Sequence, residues 1–378
     1  MKRDLGSDII LKILELGQTN LTTFTTAKPG KIIMLKISVP FRAQGEVFPL
    51  IEAGADQLYC GYLPLEWEKK FTNMEFERKG GGSNFTDIKE FKSAVDLSHK
   101  KGVSVFLALN GLYVNSQYSV LRKIVREMEA IDFDAYIIAD LGLLLLLREL
   151  KTKKQMHLST GATVFNAEAV DFYRKLGISN IVFDRQTTIK EMGAISMQNP
   201  DISFEAFILN TLCVHIDGFC TFLHACNFSL QELIARTRGK KLDVVSEYDP
   251  FSSGDACCLN YSCGVRNPSL NRSLRVKKIR PTFYKKSVNS TECGACALYD
   301  IAATQIKTVK IVGRQLGFDE RLRSVKFIRS SLDFLERNKN MRRHDFINKV
   351  QALYRQTYGV KVSCKGNNCY HPDVILKK

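Results

Sequence analysis

Eight of the eleven cysteines of this 378-residue chain lie between residues 210 and 307, and two more, Cys364 and Cys369, stand close to the final residues. Cys213 and Cys220 are seven residues apart, Cys257, Cys258 and Cys263 form a second group, and Cys293-Gly-Ala-Cys296 forms a third. Thiolates in such numbers are soft ligands. Four of them can hold a [4Fe–4S] cluster, a [2Fe–2S] cluster or a structural zinc ion. Gly294 permits the tight backbone that lets two thiols of one turn face the same ion. The chain carries a single CxxC, so the spacing does not match a zinc finger or zinc ribbon. A chain of this length can bury a sizeable core and does not need disulfide staples. A reduced compartment, in which thiols persist, therefore suits the set better than an oxidising one. Cys60 stands apart from the others, at the end of a short apolar run, and reads as a small buried hydrophobe.

These thiols must be positioned by something, and the rest of the sequence supplies it. Short β-branched runs alternate with amphipathic stretches, the pattern of parallel βα units. Strands are predicted at residues 32–39, 57–60, 103–109, 135–139, 155–159, 180–184, 203–209 and 308–312. Each is a nearly continuous apolar run, as in a sheet buried on both faces. Helices are predicted at 85–101, 118–129, 166–176, 188–197, 320–336 and 341–358. The first starts on Asp87 with Glu90 three residues on, a capping-box spacing. Eight strands and no dinucleotide fingerprint after the first favour a closed (β/α)8 TIM-barrel-like fold over a doubly wound sheet. The expected organisation is an N-terminal extension at 1–31, a barrel at 32–314 and a C-terminal helical region with a cysteine-containing tail at 315–378. The barrel contains a Cys-rich insertion at 210–307, between strands seven and eight. Barrel active sites lie at the C-terminal ends of the strands. Cys213, four residues beyond the seventh strand, belongs to that face.

Net charge is +16, much of it in residues 275–286 and 314–343. Such a surplus suits acidic partners such as RNA, although the second stretch alternates in sign, as a solvated helix face does. The run Leu141–Leu147 is far shorter than the roughly 20 apolar residues that span a bilayer. Residues 1–17 are interrupted by Asp8, Lys12 and Glu15 and do not resemble a secretory leader. A cytoplasmic location is expected.

Residues 205–220 (EAFILNTLCVHIDGFC) resemble the signature of the collagenase-like peptidase family U32: E-x-F, a turn of small residues, then two spaced cysteines. Asn210 and Thr211 depart from the small residues usual there. Three further stretches share the resemblance: EAGADQLYCG (52–61), HLSTGATVFNAEAVDFYRKLGISNIVFDRQ (157–186) and CALYDI followed by VKIVGR (296–314). The resemblance implies a barrel, and in several members a [4Fe–4S] cluster on four cysteines. By position the ligands are Cys213, Cys220 and Cys296, with Cys258 as the third in sequence and Cys257 and Cys263 as its rivals. Cys263, Cys293, Cys364 and Cys369 exceed what one cluster needs, and they make a second metal site or cluster conceivable.

Relatives in the family include hydroxylases of RNA and of the ubiquinone ring that work without O2. The resemblance thus implies an iron–sulfur enzyme that transfers oxygen to an RNA base or a small aromatic molecule. The family name implies a peptidase instead, and some relatives act with a homologous partner subunit, so an accessory subunit is a third reading. The sequence contains no HExxH and no GxSxG, and a thiolate bound to metal is not also a nucleophile. His157, Arg185 and Arg314 end strands five, six and eight and are the expected substrate-binding residues. A guanidinium forks a carboxylate well, but Arg185 could equally pair with Asp184 or Asp140. Glu205 is expected to be structural.

Overall fold

The computed structural model describes residues 34–71, 83–213, 216–220, 265–267, 272–274, 292–359 and 369–376. Strands form where two-sided burial rewards β-branched and aromatic residues. They are β1 (Lys36–Pro40), β2 (Gln57–Gly61), β3 (Ser104–Leu109), β4 (Ala135–Ile138), β5 (Gln155–Leu158), β6 (Asn180–Val182), β7 (Ser203–Leu209), β8 (Val265–Asn267), β9 (Arg272–Leu274) and β10 (Thr308–Ile311). Eight of them close a parallel barrel in the order β1-β10-β7-β6-β5-β4-β3-β2, and β8 and β9 form a separate antiparallel hairpin. Closure is made by β10, which pairs with β1 through Lys36↔Thr308 and Ser38↔Lys310 and with β7 through Thr308↔Glu205 and Lys310↔Phe207. The register on β7 shifts between Lys310 and Ile311, a bulge at the C-terminal rim.

Side chains alternate across each strand. Ile37, Val39, Leu58, Cys60, Val105 and Leu107 point outward into one continuous core beneath the helices, whereas Tyr59, Phe106, Ala108, Ala135 and Ile137 fill the lumen. Cys60 is fully buried in that outer core. The helices at Ile88–Lys100, Tyr118–Met128, Ala167–Lys175, Ile189–Gln198, Phe318–Arg337 and Arg343–Tyr358 lie within three residues of their predicted bounds. At the first of them Asp87 accepts a hydrogen bond from the backbone N–H of Lys89. Glu90 does not close a capping box; its carboxylate instead accepts from the N–H of Gln44. Two further helices, Val47–Glu52 and Leu141–Glu149, complete the first and fourth crossovers. Among the described residues no helix is long and apolar enough to cross a membrane.

The closing helix, Phe318–Arg337, is fastened by charge. Arg321 is fully buried and donates to Pro40 O at 3.0 Å and to Glu46 Oε2 at 2.6 Å. Its second nitrogen reaches Glu46 Oε1, so the fork joins the helix after β10 to the segment after β1. Removing one partner of such a pair leaves the other charge buried and costs about 3–5 kcal/mol. Arg321→Met should therefore lower the unfolding free energy in urea titrations by that order. Adding Glu46→Leu to that variant should recover part of the loss.

Candidate active site

The lumen holds a charge pair. Lys310 Nζ donates to Glu205 Oε2 at 2.8 Å, with both side chains almost fully buried. Asn180 donates to the other oxygen, Oε1, at 2.7 Å. Lys310 also stands 4.2 Å over the Tyr59 ring, whose hydroxyl donates to Ile311 O at 2.9 Å. His157 lies beside this group, with Nδ1 3.9 Å from Glu205 Oε1 and its ring edge-on to Phe106 at 4.6 Å. Burial lowers the His157 pKa from 6.5 to about 4, and Lys310 adds to the shift against the opposing pull of Glu205. Burial pushes the Glu205 carboxyl up, but Lys310 and then His157 outweigh it and hold the pKa below the usual carboxylate value. Glu205 is thus a structural acid that binds β7 to β10 and β6.

Above the lumen the β7 strand ends in a strained turn. Asn210 and Thr211 have φ of +66° and +49°, the left-handed region that side chains disfavour. This is where the sequence departs from the family's small residues, and the surroundings compensate. The N–H of Asn210 donates to Glu292 O at 2.9 Å, and that of Thr211 donates to Glu292 Oε2 at 3.1 Å. Asn210 Nδ2 bonds Val312 O at 3.3 Å and Ser324 Oγ at 3.1 Å. The hydroxyl of Tyr370 donates to the carbonyl of Asn210. This turn sets the position of Cys213.

Arg185 projects into the same mouth. Its guanidinium contacts Asp217, not Asp184 or Asp140, and Asp217 also accepts from Thr160 Oγ1 at 2.9 Å. Asp184 accepts the N–H groups of Gln186 and Asp217, while Asp140 caps the helix Leu141–Glu149. The Arg185 guanidinium lies 4.1 Å over the Phe207 ring. Burial opposes its charge, yet Asp217, Tyr370 and Cys213 together keep it ionised, with its pKa raised above the ordinary value. Its Nε is buried without an acceptor among the described residues. Across the mouth Arg314 donates to Asn84 Oδ1 at 3.0 Å. A Cβ on Gly61 would stand 2.0 Å from that oxygen and 2.4 Å from Arg314 Nη1, so the contact requires glycine.

The C-terminal tail returns to this face. The backbone of Cys369 pairs parallel with that of Cys293, which in turn pairs antiparallel with Leu209 at the end of β7, and the two thiols are not joined as a disulfide. The Tyr370 ring then joins Phe207, Val182 and Val312 over the lumen, and His371 Nε2 bonds Phe207 O at 3.1 Å.

The structure thus brings Arg185 to the β7 turn that carries Cys213, sets Arg314 on the opposite wall and places His157 inside the lumen. Cys213 and Cys220 are half-buried and Cys296 is buried. Cys257, Cys258, Cys263 and Cys364 lie outside the described residues. Among the described residues no three His, Cys, Asp or Glu side chains are arranged around a common metal position. The chemistry of the donors suits a thiophilic metal: soft sulfur ligands at a barrel mouth, with the cationic Arg185 beside Cys213. Asp217, Asn84, Glu292 and Tyr370 escaped sequence reasoning, because contacts across such separations leave no local signal. Lys310 had one available, since it sits within the quoted VKIVGR.

The sequence model of Peptidase family U32 matches residues 45–363. The chain belongs to that family. "tRNA hydroxylation protein P" of Helicobacter pylori strain J99 is 27% identical over 223 residues, covering 59% of this chain and 46% of that protein. The Escherichia coli K12 protein of the same name is 23% identical over 309 residues, 74% of this chain and 64% of that one. An Escherichia coli K12 23S rRNA 5-hydroxycytidine synthase is 26% identical over 192 residues, 50% of this chain and 27% of its own length. This U32 chain therefore spans about half the length of the Helicobacter relative that it matches.

The depressed His157 pKa has a consequence for stability. Below pH 6.5 the unfolded chain takes up the proton, while the folded chain resists it down to about pH 4. Stability present above pH 6.5 is thus lost as pH falls through that window. For a shift of this size the contribution is roughly 3 kcal/mol. In His157→Gln the fall in melting temperature between those two pH values should be shallower than in the wild type, as read by circular dichroism.

Proposed function

We propose that this chain is an iron–sulfur oxygen-transfer enzyme that hydroxylates an RNA base, with Cys213, Cys220, Cys258 and Cys296 holding a [4Fe–4S] cluster. The observation that supports this most directly is the meeting of Arg185 with the β7 turn of Cys213, in a family whose relatives carry RNA-hydroxylation names. When bound, the cluster supplies one-electron redox steps at the mouth.

The protein's own groups do the rest. Phe207 and Tyr370 are buried in the apolar cluster that backs the Arg185 guanidinium, so they hold that cation in a dry setting where its charge acts strongly on an acidic ligand. Arg185 is held ionised by Asp217, and its unpartnered Nε can donate to a carboxylate or phosphate oxygen. Arg314, braced by Asn84, provides a second cation on the far wall. The lumen beneath is closed by Lys310, Glu205 and His157. It offers no neutral acid–base pair, because His157 stays unprotonated and Glu205 ionised near neutral pH. The oxygen donor is then an acidic small molecule bound by the arginines, and an aromatic small-molecule acceptor is the alternative to RNA. The thiols require a reducing cytoplasm.

Anaerobic purification should give a brown protein with broad absorbance near about 400 nm and about four irons per chain. Cys213→Ala should lose both, falling below about one iron. The acidic oxygen donor, supplied as a small-molecule extract, takes up the two electrons the base loses. Nucleoside mass spectrometry of RNA incubated anaerobically with the enzyme and that extract should show one added oxygen that RNA with enzyme alone does not gain. Arg185→Ala should lower that product at least about tenfold, the loss of about 1.4 kcal/mol of transition-state stabilisation, while keeping the absorbance. A colourless protein, or an iron content indifferent to Cys213, would overturn the proposal.

A further inference from the structure

The cluster proposed above takes Cys296 and not its neighbour Cys293, which is buried. Three observations single it out. Its Sγ accepts the backbone N–H of Ala295 at 3.4 Å, which turns the Cys293-Gly-Ala-Cys296 loop into a knuckle whose amide faces the sulfur. Its backbone is paired on two sides, antiparallel to Leu209 and parallel to Cys369. The pairing carries a hydrogen bond from Tyr370 N to Cys293 O at 3.1 Å. Cys369, from a segment 76 positions further along the sequence (369 minus 293), is thereby held beside Cys293 and is buried too.

The fit is close. A Cβ on Gly294 would stand 2.9 Å from Tyr370 Cβ and 2.9 Å from His371 Cδ2. Glycine at that position lets the tail press directly on the knuckle.

In-register residues of neighbouring strands project to the same side, at a separation that a single metal ion can bridge. An amide N–H directed at sulfur stabilises negative charge there, as a thiolate ligand requires. Adjacent cysteines of one motif serving two different metal centres is known chemistry for thiolate sites. We infer that Cys293 and Cys369 are two ligands of a second thiolate site for a soft metal, zinc or iron, which anchors the C-terminal tail over the barrel mouth. The inference shares the thiolate chemistry of the proposed cluster but not its residues, so the two are separable. Its consequence is mechanical. The metal fixes Cys369, and Cys369 fixes Tyr370, whose hydroxyl braces the strained turn at Asn210.

The test is elemental analysis of anaerobically purified full-length chain, with the absorbance spectrum recorded alongside. Wild type should carry metal beyond whatever Cys213→Ala removes. Cys293→Ser and Cys369→Ser should each lose that excess and keep the absorbance that depends on Cys213. Zinc in the excess fraction identifies a mononuclear site, and iron with sulfide identifies a second cluster. Cys369→His, which restores a metal ligand without a thiol, should recover zinc where serine does not; a packing role would not give that recovery. Adding a chelator to wild type should speed proteolytic cleavage of the tail several-fold, while Cys369→Ser should be cleaved fast with or without chelator. The inference fails if Cys369→Ser retains the full metal content, if Cys213→Ala removes all of it, or if peptide mapping finds Cys293 and Cys369 joined as a disulfide. Failure of the cluster proposal reads differently: Cys213→Ala would then leave the metal and spectrum unchanged.

Discussion

Closure of the barrel by β10 is the constraint on which the arrangement depends. The first seven strands, β1 to β7, form an open sheet with β1 and β7 as its edges, two rows of backbone groups lacking partners. Only Thr308–Ile311, about a hundred residues beyond Leu209, satisfies both edges at once. A segment so distant must return to a fixed slot, so both ends of the intervening chain are clamped at the rim. The rim can then tolerate a turn with two consecutive left-handed residues, Asn210 and Thr211. Glu292, on the returning limb, supplies the hydrogen bonds that offset the strain. Cysteines on either side of that clamp approach the same mouth because the sheet requires it.

The buried Lys310–Glu205 pair serves this closure. Burying two charges costs more than their attraction returns unless the geometry is good, and here Asn180 satisfies the second carboxylate oxygen. The pair is diagonal in the ladder, since Glu205 is registered with Thr308 and Lys310 with Phe207. A slip of one residue would turn Lys310 out of the lumen into the apolar layer beneath the helices. Charge thereby selects register, which a purely apolar lumen would specify less sharply. Arg321 and Glu46 do the same for the helix that follows β10.

The strands were legible because two-sided burial writes itself locally, as a run of apolar residues between turn signals. The helix Val47–Glu52 left little trace: it is six residues long and contains Pro49. Leu141–Glu149 was visible only as a leucine run, for it buries Leu143, Leu144, Leu146 and Leu147 while Leu141 and Leu145 remain exposed, which blurs any stripe. For the site, the family signature located Cys213 and the rim arginines. It could not show that Arg185 is paired with Asp217, or that Tyr370 comes back to the mouth. Those are tertiary facts, set by how a loop and a tail fold over the barrel rather than by the period of any element. The same holds for Glu90, whose capping-box spacing was real but whose carboxylate found Gln44 instead.

The pairing of the mouth arginine also changes what the net charge of +16 means. Arg185 is offset by Asp217, and deeper in the fold Lys310 is offset by Glu205 and Arg321 by Glu46. The excess positive charge must therefore lie elsewhere. Part of it is the exposed side of the two C-terminal helices, where Arg323, Lys326 and Lys349 face solvent. Exposed charges act over about a Debye length and weaken with salt, so they attract a polyanion without choosing among bases. The mouth works in the opposite sense: apolar walls from Phe207, Val182, Val312 and Tyr370 surround a cation already held in place. Surface and mouth thus differ in kind: the outer helices carry mobile, salt-sensitive charge, and the mouth carries one desolvated cation whose position is set by its pairing with Asp217.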